Sequence, residues 1–101
     1  IYFESFNGLM EKEVNQVMWH ILSKLSRMEK IGGAHTEITN LPKGLPSHFR
    51  SNNRGKKIIQ KAIKELLGRD YLLQKPSTGE IHVSLNPRKL KEIDEFIIKY
   101  R

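Results

Sequence analysis

Apolar residues in the first third of the chain recur with the spacing of an α-helix. Such spacing, three or four residues apart, places side chains along one face of a helix. Between residues 9 and 30 these positions are Met10, Val14, Val17, Met18, Ile21, Leu22, Leu25 and Met28. Gly32 and Gly33 follow, and glycine commonly ends a helix. The pattern predicts a helix over residues 9–30 with one buried face.

The next segment predicts short elements instead of another long helix. Residues 35–41 alternate around Ile38, which favours a short strand or an extended run. Pro42 and Pro46 exclude a regular helix between them, because proline disfavours helical geometry in the residue before it. A brief helix over residues 46–50 remains compatible, with Pro46 in its first turn.

A second amphipathic helix is predicted from about residue 53 to residue 67. Residues 51–53 are of types that cap helix N-termini, and Gly68 is a candidate C-terminal stop. On a helical wheel the two faces differ in chemistry. The apolar face holds Ile58, Ile59, Ala62, Ile63 and Leu66, and the opposite face holds Lys57, Gln60, Lys61 and Lys64. One face suits a core, and the other carries positive charge.

The remaining residues predict a β-hairpin and a final helix. The strands are expected over residues 70–74 and 80–85, with a turn at residues 75–79. In the second strand Ile81, Val83 and Leu85 should face inward, and His82 and Ser84 outward. Asn86 and Pro87 suit the N-cap and first position of a helix. Its apolar face would hold Leu90, Ile93, Phe96 and Ile97.

This order of elements resembles the winged helix-turn-helix superfamily. The resemblance covers residues 10–98 and is most specific over residues 56–73, where a basic helix ends in Leu-Leu-Gly before an apolar strand. It implies an α+β, mainly α fold: a winged helix, with a three-helix core, a short strand, a β-hairpin wing and a C-terminal helix. One departure is the second helix, which Pro42, Gly44 and Pro46 shorten.

A length of 101 residues predicts one domain, which we assign to residues 10–101 as a winged helix, with residues 1–9 as an N-terminal extension. The extension begins Ile-Tyr-Phe-Glu-Ser, which is similar to the remnant of a protease site used to remove a tag. Met10 is then a candidate native start. The alternative is a native segment that covers the core.

Charge is concentrated in the middle of the chain. Residues 42–91 hold twelve Lys or Arg and three acids, a balance of +9, whereas residues 1–41 and 92–101 each sum to −1. Together these give the net +7 of the 101 residues. Concentrated positive charge attracts polyanions. A solvated face that keeps a small protein in solution is the alternative.

The superfamily resemblance implies binding of double-stranded DNA, with the second helix of the motif in the major groove. By position, the recognition-helix candidates are Ser51, Asn52, Asn53, Arg54, Lys57, Gln60, Lys61 and Lys64. The wing and flank candidates are Lys43, His48, Arg50, Lys75, Ser77 and Thr78. Asn and Arg can bond adenine and guanine bidentately, and Lys supplies point charge to phosphate. Helix capping by Asn52 or Asn53, and an ordinary turn at residues 77–79, are the structural alternatives.

Other functional classes have little support in the sequence. The chain has no cysteine, its four histidines lack ligand spacing, and Gly-rich phosphate-loop and HExxH patterns are missing. Glu11 and Glu13 lie two apart on the first helix and point in different directions, so they make a poor acid–base pair. We therefore expect no enzymatic activity, metal or cofactor. Apolar runs too short for a membrane span, and no secretory signal, favour a cytoplasmic protein, nucleoid-associated if it binds DNA.

The expected function is transcriptional regulation by occupancy of duplex DNA. The alternative is a winged-helix module that binds another protein within a transcription or replication assembly. Structured RNA is a weaker third candidate, because most aromatic residues lie outside the basic stretch. The apolar last helix could pack on the first helix, or both could form a homodimer contact that matches a palindromic site.

Overall fold

The computed structural model describes the backbone of residues 2–101 and the side chains of residues 10–101. In this part of the chain the helices are α1 (Tyr2–Arg27), α2 (Ser47–Arg50), α3 (Asn53–Gly68) and α4 (Leu90–Lys99). The strands are β1 (Thr36–Glu37), β2 (Leu72–Ser77) and β3 (Glu80–Leu85), and short 3-10 helices cover Ile38–Asn40 and Pro87–Lys89. The fold is thus α+β and mainly helical, with a three-stranded antiparallel sheet.

The first helix differs from its predicted limits at both ends. It begins at Tyr2, so its backbone runs through the predicted N-terminal extension; Ile1 and the side chains of residues 2–9 lie outside the described residues. It ends at Arg27 because Glu29 adopts a left-handed conformation, with φ of 54°. Lys30 N then donates to Leu25 O and Glu29 N to Ser26 O, which is a Schellman ending. Gly32 and Gly33 come too late to stop the helix.

The second long helix ends in the same way. Asp70 is left-handed, with φ of 61°, and the amides of Asp70 and Tyr71 donate to Leu67 O and Leu66 O. Gly68, the predicted stop, is the last helical residue. In both helices a non-glycine residue takes the left-handed position, which the glycine signal could not locate.

One core joins the helices to the inner face of the sheet. Its centre is formed by residues with little or no exposed surface. From α1 these include Val17, Ile21, Leu22 and Leu25; from α2 and α3, Phe49, Ile58, Ala62 and Leu66; from the sheet and α4, Leu72, Val83, Leu85 and Ile93. The predicted apolar faces of α1, α3 and α4 are therefore the faces that the fold buries, except that Met28 lies beyond the end of α1 and is 42% exposed. A hydrogen bond also joins α1 to α4, because Trp19 Nε1 donates to Ile97 O at 3.0 Å.

The α2–α3 turn is set by a close backbone approach. Gly55, in the first turn of α3, is buried, and a Cβ built there would lie 2.2 Å from Phe49 O. Only glycine therefore allows α3 to pass α2 at this distance. The turn itself consists of Ser51 and Asn52, between Arg50 and Asn53.

The sheet order is β1-β3-β2, so β3 is the central strand. β2 is shifted from its predicted range of residues 70–74: it begins two residues later, at Leu72, and ends three residues later, at Ser77. Ser77 pairs with Glu80, which leaves Thr78 and Gly79 as the turn. Gly79 has φ of 73°, as a tight turn requires. Pro76 suggested a turn, but an edge strand tolerates proline because one row of its backbone groups is unpaired.

Two residues of β3 differ from the prediction in burial, although the predicted alternation of faces along the strand holds. Ser84 is buried, because its Oγ donates to Gly32 O at 2.8 Å and the chain around Ile31 covers it. Ile81 is 40% exposed, since this end of the hairpin extends beyond the core. The predicted strand at residues 35–41 shortens to Thr36–Glu37, and Ile38–Asn40 turn into a 3-10 helix.

Candidate nucleic-acid interface

The outward side of α3 is a row of exposed polar residues, here called the lysine face. It consists of Lys57, Gln60, Lys61 and Lys64. The opposite side holds Ile58 and Ala62, both with no exposed surface. The only acid on α3 is Glu65, whose Oε1 lies 3.2 Å from Arg69 Nε. Among the described side chains, the three lysines of this face have no carboxylate within ion-pair distance.

A shallow groove of about 410 Å³ lies beside the lysine face. Three cations line it and define the cationic groove: Lys43, Arg50 and Lys56. Its walls also include Pro42, Thr39, Ile59 and Gln60. The structure thus brings two predicted flank residues next to α3. Lys56 was missed at the sequence level, although its place beside Lys57 in a basic run was a usable signal.

The loop that carries Lys43 is fixed by two residues of α1. Lys24 Nζ donates to Lys43 O at 2.8 Å and also to Asn40 O. His20 Nε2 lies 3.1 Å from the same Lys43 oxygen. Burial, followed by nearby positive charge, lowers the pKa of Lys24. Burial also lowers the pKa of His20, against the opposing effect of the Lys43 carbonyl. These contacts hold one wall of the cationic groove in position.

Asn52 has a structural role at the N-terminus of α3. Its Oδ1 accepts from Gly55 N at 2.8 Å, and its Nδ2 donates to His48 O at 3.2 Å. This is the capping alternative stated above. Ser51 and Asn53 flank it and are exposed.

Arg54 is bound to α1. Its two terminal nitrogens lie 2.9 and 2.7 Å from the two carboxylate oxygens of Glu13, a bidentate ion pair. The side chain of Glu13 is 16% exposed and that of Arg54 47%. The hydrogen bonds from Arg54 lower the pKa of Glu13, and those to Glu13 raise the pKa of Arg54. A predicted base reader therefore has its guanidinium engaged within the protein.

The predicted wing residues lie along the hairpin. Lys75 and Ser77 are exposed residues of β2, where they pair with His82 and Glu80, and Thr78 is at the tip. Leu73 and Ile81 are also about 40% exposed, at 41% and 40%. His48 is exposed in α2 and its ring lies over Phe49, with centroids 4.2 Å apart.

Comparison with family models, curated proteins and solved structures finds no match to this chain. Functional inference therefore depends on the geometry of these residues. In the described part of the chain, no helix combines the length and apolar character needed to cross a membrane. Over the same residues, no group of three or more His, Asp or Glu is arranged to hold a metal ion.

Proposed function

We propose that the protein binds duplex DNA in the manner of a winged helix-turn-helix domain and acts as a transcriptional regulator by occupancy. In this proposal α3 is the recognition helix, α2 and the Ser51–Asn52 turn position it, and the β2–β3 hairpin is the wing. The order of the described elements and the short α2–α3 turn support the assignment. No catalytic step is part of the proposal.

The observation that carries the proposal is the lysine face. A major groove admits one α-helix, and its rims are two rows of phosphates. Lys57, Lys61 and Lys64 lie on the exposed side of α3, without carboxylate partners among the described side chains. Their ammonium groups can therefore neutralise phosphates without first breaking an ion pair. This releases counterions, which is a main source of affinity for DNA.

The cationic groove extends this surface toward the N-terminal half of α3. Lys43, Arg50 and Lys56 meet around it, so a DNA backbone that follows α3 would contact them next. Base contacts fall to Asn53 and Gln60, because Asn52 and Arg54 are already engaged. Lysines outnumber base-reading side chains here, which favours affinity from phosphate contacts over dense sequence readout.

A homodimer contact through α4 would use the side of the helix that faces away from the core. Ile97 and Phe96 pack on the core, and Trp19 binds Ile97 O, which uses the inward side of the helix. Ile98, 66% exposed, and Tyr100, 38% exposed, remain on the outside. A two-fold contact through α4 and α1 would use these residues, and two-fold symmetry suits palindromic sites.

The test is a salt titration of binding to random-sequence duplex DNA, with the protein mass measured by light scattering. If about six phosphates are contacted, log affinity falls against log salt with a slope near −5. A duplex that is not shifted even at low salt contradicts the proposal. Light scattering reports in the same samples whether one or two chains bind.

Exposed apolar residues on the hairpin favour one second candidate, a protein-interaction module. Leu73 and Ile81, which lie on opposite faces of the hairpin, each present hydrocarbon surface where a wing that contacts only phosphate needs none. A partner with an acidic surface and an apolar patch would suit both the hairpin and α3. A stoichiometric protein partner in a pull-down, without a duplex shift at low salt, favours this function over DNA binding.

A further inference from the structure

Two histidines that are 47 positions apart in the sequence meet on the outer face of the sheet. His35 lies directly before β1, and His82 is in the central strand β3. Their Nδ1 atoms are 2.8 Å apart, their ring centroids are 4.7 Å apart, and the ring planes are nearly perpendicular at 82°. Both residues are partly exposed, so this contact is open to solvent.

The two nitrogens are separated by the length of the hydrogen bond that joins the rings, 2.8 Å. Two ligands about 2.0 Å from one metal and at a right angle to each other also lie about 2.8 Å apart, whereas a tetrahedral angle separates them by about 3.3 Å. A metal with right-angle coordination could therefore replace the shared hydrogen with little movement of the rings. Right angles between nitrogen ligands are typical of Cu²⁺ and Ni²⁺, which prefer tetragonal coordination.

We propose that His35 and His82 form a binding site for a divalent transition metal of tetragonal preference, Cu²⁺ or Ni²⁺, with both Nδ1 atoms as ligands. The site lies on the proposed wing, where His82 pairs with Lys75 across the hairpin, and it is separate from the lysine face. The metal proposal does not depend on DNA binding. Water completes the coordination, because the described side chains provide no cluster of three or more ligands.

Metal ligands must be unprotonated at the binding atom. In the metal-free pair the two Nδ1 atoms are at hydrogen-bond distance, so one Nδ1 carries the hydrogen that it donates to the other. On metal binding that hydrogen relocates to Nε2 of the same ring, which leaves both Nδ1 atoms available as ligands.

Nearby charges limit the affinity. Lys30 and Lys75 repel a dication. Glu37 pairs with His82 in the β1–β3 register and so lies on the same face of the sheet, where its charge offsets part of that repulsion. Two neutral ligands in a basic setting predict binding far weaker than that of a four-ligand structural site.

A metal at this site would also stabilise the pairing of β1 with β3. Only two residue pairs, Thr36 with Val83 and Glu37 with His82, join these strands. A bound ion bridges His35, at the entrance of β1, to the central strand. A ligand that binds only the folded state raises its apparent stability, so the melting temperature should rise with metal concentration.

The experiment titrates tag-free protein with Cu²⁺ and Ni²⁺ by calorimetry and thermal melting, with electron paramagnetic resonance of the Cu²⁺ complex. We expect one site with two coordinated nitrogens and a metal-dependent rise in melting temperature. His35→Gln and His82→Gln should each weaken binding at least tenfold. The matched control His48→Gln, at an exposed histidine of α2, should bind as the parent does.

A variant that retains both ligands guards against misfolding of the histidine variants. Lys75→Glu replaces a repelling charge on the same face with an attracting one, so we expect metal affinity to rise several-fold. The proposal is overturned if the parent binds neither ion, if His48→Gln loses as much affinity as His35→Gln and His82→Gln, or if Lys75→Glu leaves the affinity unchanged.

Discussion

Helices α3 and α4 share one architecture but differ on their outward sides. Each buries one apolar face, with Ile58 and Leu66 in α3 and Ile93 and Phe96 in α4. The 16 residues of α3 carry five cations and one acid, a balance of +4, whereas the 10 residues of α4 carry two cations and three acids, a balance of −1. Both helices thus need an apolar inner face for the core, whereas the charge of their outer faces is free to differ.

This difference argues against the alternative that the lysine face only keeps the protein in solution. If α3 carried lysines only to stay solvated, mixed charge would serve equally well, as it does on α4. Mixed signs also avoid repulsion between neighbouring like charges on a helix. The clustering of one sign on α3 is therefore not what solubility or helix stability requires. It is what contact with a polyanion requires.

The largest expected effect comes from the inner side of α3. In Gly55→Ala the new Cβ would overlap Phe49 O, so α2 and α3 must separate. We expect a loss of about 3 kcal/mol or more in the free energy of unfolding, measured by urea denaturation.

Gly68→Ala is the matched control on the same helix. No atom lies within 4 Å of a Cβ built at Gly68, so this change should add about 0.5 kcal/mol through helix propensity. Similar effects of the two substitutions would mean that α2 does not fix α3 at Gly55.

A substitution that tests the inner side of α4 should have a smaller effect on stability. Trp19→Phe removes the donor to Ile97 O, which we expect to cost about 1–2 kcal/mol in the free energy of unfolding. Ile98→Ala, at an exposed position of the same helix, should stay within about 0.5 kcal/mol of the parent. If Ile98→Ala is the more costly of the two, the outer side of α4 is buried in solution, as a dimer would require.

The smallest expected effect on stability comes from the ion pair between Arg54 of α3 and Glu13 of α1. Glu13→Gln removes the carboxylate that Arg54 binds. Because the pKa of Glu13 is lowered from its ordinary 4.5, the ion pair stabilises the folded state above that pH and loses its effect as pH falls through the depressed value.

The variant should therefore melt at a lower temperature than the parent at pH 7, and this difference in melting temperature should disappear in acid. Thermal melting of both proteins from pH 7 to pH 3 measures the difference. Glu11→Gln, at an exposed acid of α1, should show no such pH-dependent difference. A difference that widens in acid would contradict the assigned pair.

The order of the elements followed from the sequence because their signals are local. Apolar residues three or four positions apart defined the buried side of α3. Asn86 before Pro87 indicated a helix start, and Asn86 Oδ1 does accept from Arg88 N, but the element that it caps is the 3-10 helix Pro87–Lys89, and α4 begins at Leu90. Helix ends were less predictable. Glu29 and Asp70 take the left-handed conformations that end α1 and α3, whereas the nearby glycines gave a stronger but misplaced signal.

Contacts between distant residues could not be predicted. Nothing in the spacing of Glu13 and Arg54, or of His35 and His82, indicates that they meet. The burial of Ser84 likewise depends on the chain near Gly32, which crosses over it. Such pairs arise from topology, so they determine which candidate site residues are engaged and which are exposed.

We propose that charge on the lysine face, and not charge in general, drives binding to duplex DNA. The direct measurement is the salt dependence of DNA affinity for the parent, for Lys57→Ala/Lys61→Ala/Lys64→Ala, and for the α4 control Lys91→Ala/Lys99→Ala. If each α3 lysine neutralises one phosphate, the triple variant binds every sequence more weakly and its slope is shallower by about 2.7. The α4 variant should retain the parent slope. A triple variant that binds with the parent affinity and slope would contradict the account.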